Sequence, residues 1–144
     1  MFVVDTNILI YAANKYAPES DRCYAALEEW RKQQSAWYLT WSICFEFMRL
    51  ATHRRTFREP WPVDRAWEFI QGLRRSPALK ILVPTDRYAT ALEQTFRELP
   101  FLSGNDIHDA AIAALMREHG VKTIYTRDMR FHRFPFLEVI DPTR

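Results

Sequence analysis

Short β-prone runs alternate with longer amphipathic ones along the chain, and this alternation constrains the fold more than any other feature. Phe2 to Val4 read as a strand and Asn7 to Asn14 as a short helix. A helix over Glu19 to Gln34 carries Cys23, Ala26, Leu27 and Trp30 on one stripe; Trp37 to Thr40 form a second strand and Ile43 to Thr52 the helix after it. "REPWPVD" breaks the pattern, and Pro62 or Val63 opens a helix running to about Arg75. A strand over Lys80 to Val83, a helix over Asp86 to Glu98 and the turn "LSGN" follow. The last helix spans Asp106 to His119 and ends at Gly120, before strands over Lys122 to Tyr125 and Leu137 to Ile140. Strands alternating with helices predict an α/β fold with a mainly parallel central sheet flanked by helices. A length of 144 residues suits one domain spanning 1–144.

Composition narrows the class. Hydrophobic residues make up 48% and there are only three glycines, which excludes a linker or a disordered chain. A net charge of +2 neither demands nor excludes nucleic acid. Cys23 and Cys44 are too few for a disulfide framework and lack metal-site spacing. The first residues carry an acid and no basic leader, and the uncharged run Ser35 to Phe45 is too short to span a bilayer. The expectation is a soluble cytoplasmic protein that does not engage a membrane. Trp30 and Trp67 fall on helical apolar stripes, which predicts packing rather than base stacking.

Acids recur where such folds place their ligands, at the carboxyl ends of the strands. Asp5 directly follows the first strand, and Asp128 follows "KTIYT" with only Arg127 between. Glu46 lies in the first turn or so of the helix after "WYLTW", and Asp106 and Asp109 open the helix before Gly120. Each alone has a plain explanation: a helix cap, a surface acid or a turn. Together they repel one another, with few lysines nearby to offset them, so a cation is expected at that edge. Oxygen ligands suit a hard divalent ion such as Mg²⁺. Zinc is disfavoured because His53, His108, His119 and His132 form no helical pair and lack a cysteine partner; His108 is expected to face away from the site. Asp106 and Asp109 are three apart and share a flank, beside an apolar stripe of Ile107, Ala110, Ala111, Ala114 and Leu115, so periodicity cannot choose between them.

"VVDTNILIYA", "WSICFEFMRLAT", "GNDIHDAAIAAL", "IYTRDMRF" and the closing "FPFLEVIDP" resemble, in order and spacing, the PIN domain of the VapC ribonuclease toxins. The resemblance implies a PIN-like three-layer α/β fold and a Mg²⁺-dependent endoribonuclease, with Mn²⁺ able to substitute. It maps the catalytic and metal-binding acids to Asp5, Glu46, Asp109 and Asp128, with Thr6 and Thr126 as hydroxyls that could support a carboxylate or a metal-bound water. It also implies a VapB-type antitoxin as partner, and a homodimer. Asp106 is left as a supporting acid whose place near the helix N-terminus the helix dipole explains. The chain departs from the T-x-D-x-D-F pattern: "TRDMRF" has Arg130 where a second acid would stand, which weakens the case for a second ion.

An ion held by these carboxylates would activate water and relieve charge on the scissile phosphate, with Asp5 as the central ligand. "HRRTFR" and "RDMRFHRF" interleave cations with phenylalanine, which suits RNA contacts through Arg54, Arg55, Arg127 and Arg130. A haloacid-dehalogenase-like phosphohydrolase also begins with an aspartate after its first strand, but Asn7 stands where its second acid belongs. The other alternative is a catalytically silent PIN-like module that binds RNA or protein.

Overall fold

A computed structural model describes all residues, 1–144. Strand β1 (Phe2–Val4) runs into helix α1 (Thr6–Ala13), and α2 (Ser20–Lys32) returns the chain to β2 (Trp37–Thr40). Helices α3 (Trp41–Ala51) and α4 (Val63–Arg74) lead to β3 (Leu79–Leu82). Helices α5 (Tyr88–Glu98) and α6 (Asp106–Glu118) lead to β4 (Thr123–Tyr125). A 3₁₀ turn over Met129–Arg133 precedes β5 (Glu138–Ile140). The five strands form one sheet in the order β3-β2-β1-β4-β5, every pair parallel. With helices packed on both sides, the architecture is the three-layer α/β arrangement the alternation predicts.

The order of the strands fixes where a site can form. From β1 the chain steps outward to β2 and β3, then crosses back to β4 on the other side of β1. The connections therefore diverge between β1 and β4, and a crevice opens there at the carboxyl edge. Phe2, Val3 and Val4 pair in register with Thr123, Ile124 and Tyr125, and the Asp5 backbone N–H donates to the Tyr125 carbonyl at 3.0 Å. Asp5 and Thr126 thus emerge side by side at the switch point.

Beneath that edge the sheet is anchored by apolar residues buried on both faces, with Val3, Val4, Leu39 and Ile124 fully covered. Trp30 of α2 packs 5.2 Å from the Phe2 ring and 4.7 Å from Tyr125, as its stripe predicts. Trp67 differs from expectation: it is 37% exposed on α4. The 3₁₀ turn was not foreseen, and it puts Phe131 and Phe134 in the core at 1% exposure each. No helix is long and apolar enough to cross a membrane.

Candidate active site

Asp5 ends β1 in extended conformation and caps α1, its Oδ1 accepting the Thr6 backbone N–H at 2.7 Å. Its Oδ2 accepts from the Thr126 hydroxyl at 2.6 Å and from Asn7 Nδ2 at 2.8 Å. Asn7 also donates to the Thr126 hydroxyl at 2.9 Å, and its own oxygen accepts the Arg127 backbone N–H. Asn7 therefore ties the start of α1 to the segment after β4. The carboxylate it helps to orient is buried, and burial pushes the Asp5 carboxyl above its usual range despite the opposing hydrogen bonds from Thr126 and Thr6. The Thr6 hydroxyl faces the Ile43 carbonyl at 3.5 Å, so Thr6 supports the acid through its backbone and not through the side chain expected of it.

A cleft of about 710 Å³ opens over this edge, and Asp5, Glu46, Asp109 and Asp128 all line it. Thr40 caps α3 and starts that helix two residues earlier than expected, so Glu46 sits in its second turn. Asp109 reaches the cleft from α6, and Asp128 caps the 3₁₀ turn. Asp106 does not line it: its carboxylate pairs with Arg133 at 2.6 Å. The structure therefore separates the two acids that periodicity could not.

The expected lack of counter-charge is corrected by two arginines that line the cleft, Arg130 and Arg49. Arg130 binds both Asp128 oxygens, with Nη2 2.6 Å from Oδ2 and Nε 3.1 Å from Oδ1, and approaches Asp109 Oδ2 to 3.6 Å. Its hydrogen bonds hold the Asp128 carboxyl below the usual range. Arg49 makes two bonds to Glu46, at 2.7 and 2.9 Å, and these lower the Glu46 carboxyl in turn. Asp109 is less well served. Its side chain is 13% exposed, and Oδ2 is buried without a hydrogen-bond partner, since 3.6 Å to Arg130 is too long for one. Burial, with Asp128 and Asp5 adding repulsion against the pull of Arg130, pushes its pKa up to about 6.

That unpartnered oxygen and the all-oxygen donor set fit a hard divalent cation. No three His, Cys, Asp or Glu side chains converge tightly enough to enclose an ion by themselves. An ion there would complete its shell with water and substrate oxygens, as Mg²⁺ characteristically does.

Sequence reasoning missed three cleft residues. In the sequence Asn7 serves only to exclude another enzyme class. His108 was expected to face away, yet it lines the cleft with Asn105, Asp109 and Ile112. Those four stand at i, i+3, i+4 and i+7, so the three polar ones share a helix face that was readable. Arg49 lies three residues from Glu46 on the same helix, which is also a local signal.

Of the cations proposed to meet RNA, Arg127 is committed elsewhere: it pairs with Glu19 at the start of α2 and with Asp141 beyond β5, under the Tyr11 ring. Phe131, Phe134 and Phe57 are core residues, 1–3% exposed, and cannot stack bases. Arg127→Ala is expected to lower stability by about 1–3 kcal/mol, because two partly buried acids lose their partner. Chemical denaturation measures this, and an unchanged midpoint would refute the tie.

The PIN domain family matches residues 2–137. Ribonuclease VapC43 of Mycobacterium tuberculosis is 33% identical over 134 residues, covering 93% of this chain and 90% of that protein. Among solved structures, VapBC2 from Rickettsia felis, bound to a DNA fragment from its promoter, aligns with a TM-score of 0.68 at 19% identity, covering 96% of both chains. Mycobacterium tuberculosis VapC20, a Sarcin-Ricin loop cleaving toxin, aligns with a TM-score of 0.67 at 21% identity, covering 96% of this chain and 98% of that one.

Proposed function

The chain belongs to the PIN domain family, and from that premise we propose that it is a metal-dependent endoribonuclease, the toxin of a VapBC-type toxin–antitoxin pair. The observation that carries this reading is the meeting of acids from four separate segments in one cleft at the topological switch point. Its relatives at 25–33% identity over nearly the whole chain are ribonucleases by name, and the solved neighbours include toxin–antitoxin complexes. A VapB-type antitoxin is the partner in this reading, and two copies of the chain form a dimer.

Asp5, Asp109 and Asp128, with Glu46 at the rim, are the residues that would hold Mg²⁺ or Mn²⁺. The chemistry such an ion supplies is Lewis acidity, acidifying a water and neutralising charge on the scissile phosphodiester. The chain's own groups prepare the site for it. Asn7 and Thr126 fix the Asp5 carboxylate in one orientation, so no reorganisation is needed when substrate arrives. With its carboxyl pushed up to about 6, Asp109 holds a proton in mild acid and releases it as pH rises to neutrality, where the bare carboxylate would suit a cation. Glu46, steadied by its two bonds to Arg49, would offer its remaining lone pairs to the ion, with that guanidinium standing beside the cleft. Arg54 and Arg55, exposed in the loop after α3, are the proposed RNA contacts that no carboxylate occupies.

Expression of the chain alone is expected to arrest growth. Asp5→Ala, and Glu46→Gln more weakly, should relieve the arrest at equal protein level. Purified protein should cleave RNA with Mg²⁺ or Mn²⁺ and stop when EDTA is added. Protein that binds RNA without ever cleaving it would instead be the silent PIN-like module.

A further inference from the structure

Ion pairing is unevenly distributed over the arginines. Nine of them lie within ion-pair distance of a carboxylate. Of the seven that do not, four fall within residues 54–65, namely Arg54, Arg55, Arg58 and Arg65. Two of these four rest on rings. The Arg58 guanidinium lies 4.6 Å from the Tyr16 ring centre and that of Arg65 lies 4.2 Å from Trp61, with Lys15 Nζ 5.1 Å from Tyr16. A guanidinium held over a ring face by its charge keeps N–H donors available for another partner.

These side chains line a pocket of about 80 Å³, floored by buried Phe57. Glu59, the one acid there, makes no ion pair, so it does not consume the donors around it. The platform is anchored. Trp61 donates its backbone N–H to the Ala51 carbonyl at 2.9 Å and packs edge-on against Phe57 and Phe47. The pocket also adjoins the acid cleft. Asn14, at the end of α1, lines both, and Thr56 of the cleft is followed directly by Phe57 of the pocket. Helix α1 starts directly after Asp5 and has eight residues, which sets the pocket roughly 12 Å from the acids at 1.5 Å per residue.

We propose that this pocket is a nucleotide subsite for single-stranded RNA, taking a residue that flanks the scissile bond. It rests on the ribonuclease reading and adds to it the path of the strand, out of the cleft along α1. Arg58 and Arg65 meet the phosphate, and the exposed ring of Tyr16 with the guanidinium planes takes the base, since both kinds of surface stack nucleobases. Unpaired cations beside a cleft of acids suit a polyanion whose backbone must be held away from those acids. The pocket therefore supplies affinity and register, while the cleft supplies chemistry.

The test is fluorescence anisotropy with two labelled single-stranded oligoribonucleotides of mixed sequence. One is long enough to span cleft and pocket, and the other is confined to the cleft. Arg58→Ala and Arg65→Ala should each weaken the long oligonucleotide about 5- to 20-fold. The double variant should flatten the slope of log affinity against log salt by about 0.7, the value for one neutralised phosphate on a single strand. Tyr16→Ala should weaken binding about 5- to 100-fold without changing that slope. The short oligonucleotide should shift less than twofold in all three. Arg87→Ala removes the same charge from the start of α5 and controls for net charge; it should leave the long oligonucleotide unchanged. Thermal melts of each variant exclude unfolding as the cause. Parent-like affinity and salt slope in the double variant would overturn the subsite even if the parent protein cleaves RNA. Loss of antitoxin binding with RNA binding intact would overturn it in favour of a protein interface. A parent that neither binds nor cleaves RNA would overturn the ribonuclease reading beneath it.

Discussion

Asp109→Asn is expected to reduce RNA cleavage about a hundredfold or more and, in the same protein, to raise the melting temperature. The two effects have one cause. Asp109 Oδ2 is buried with no hydrogen bond, among Asp5 and Asp128, and the carboxyl is pushed up to about 6. A group placed this way costs stability while charged and gains a purpose only when a cation completes it. Its folded pKa lies above the ordinary 3.8, so the folded chain binds this proton more tightly than the unfolded chain does. The stabilising contribution is therefore complete below about pH 4 and is lost as pH rises through about 6. With the side chain largely buried, the loss at neutral pH is on the order of 1–3 kcal/mol, at 1.36 kcal/mol per pH unit. The asparagine variant escapes it and should melt several degrees higher at pH 7, but no higher at pH 4. A divalent ion competes with the proton at the same oxygen, so metal should stabilise the parent less at pH 5 than at pH 7. Asp106→Asn is the contrasting variant. It breaks the pair with Arg133 outside the cleft, so it should cost about 1 kcal/mol or less and leave substantial cleavage. Turnover and melting curves for both variants decide the matter; an inactive Asp106→Asn beside an active Asp109→Asn would reverse the assignment.

The contrast also shows what the sequence could carry. Alternating strands and helices were legible because their apolar patterns are local, and the acid edge followed because parallel strands share one direction. Asp5 was legible for a stronger reason: an acid abutting Val3 and Val4 has no cheap explanation inside a core. The choice between Asp106 and Asp109 was not legible, because it depends on Arg133, 27 residues further on, reaching back to Asp106. The stripe expected on α6 was legible in part: Ala110, Ala114 and Leu115 are buried as expected. Ile107, however, is 43% exposed, while Ile112, Ala113 and Met116 are buried, because α5 and the 3₁₀ turn pack on α6 and together cover a broader arc than a single stripe. Arg49 and Asn7 lay within three residues of the acids they serve. Such short spacing singles out a donor only once the acid it serves is known to face a site.

Arg130 is the cation the sequence had seemed to lack, and replacing it should change metal binding more than any other single substitution outside the acids. Its guanidinium makes hydrogen bonds to both oxygens of Asp128, stands 3.6 Å from the unpartnered oxygen of Asp109, and favours the charged form of Asp5. The site in the free protein is thus already partly neutralised by a tethered positive charge. A divalent ion bound to Asp128 must either displace that guanidinium or sit beside it against Coulomb repulsion. Both alternatives weaken affinity, since unit charges about 4 Å apart interact by several kcal/mol in a protein environment before relaxation and screening. Arg130→Gln is therefore expected to melt lower than the parent without metal, because the acids lose their partner. It should also bind Mn²⁺ about tenfold or more tightly and show a larger upward shift of its melting temperature on adding the ion. Arg133→Gln removes the same charge from the pair with Asp106 and should change Mn²⁺ affinity far less, which separates occupancy of the cleft from a general change in net charge. Titration calorimetry with Mn²⁺ on the three proteins reads all of this. Equal affinities in the parent and Arg130→Gln would mean that the ion and the guanidinium do not compete, and that the acids hold them at separate positions.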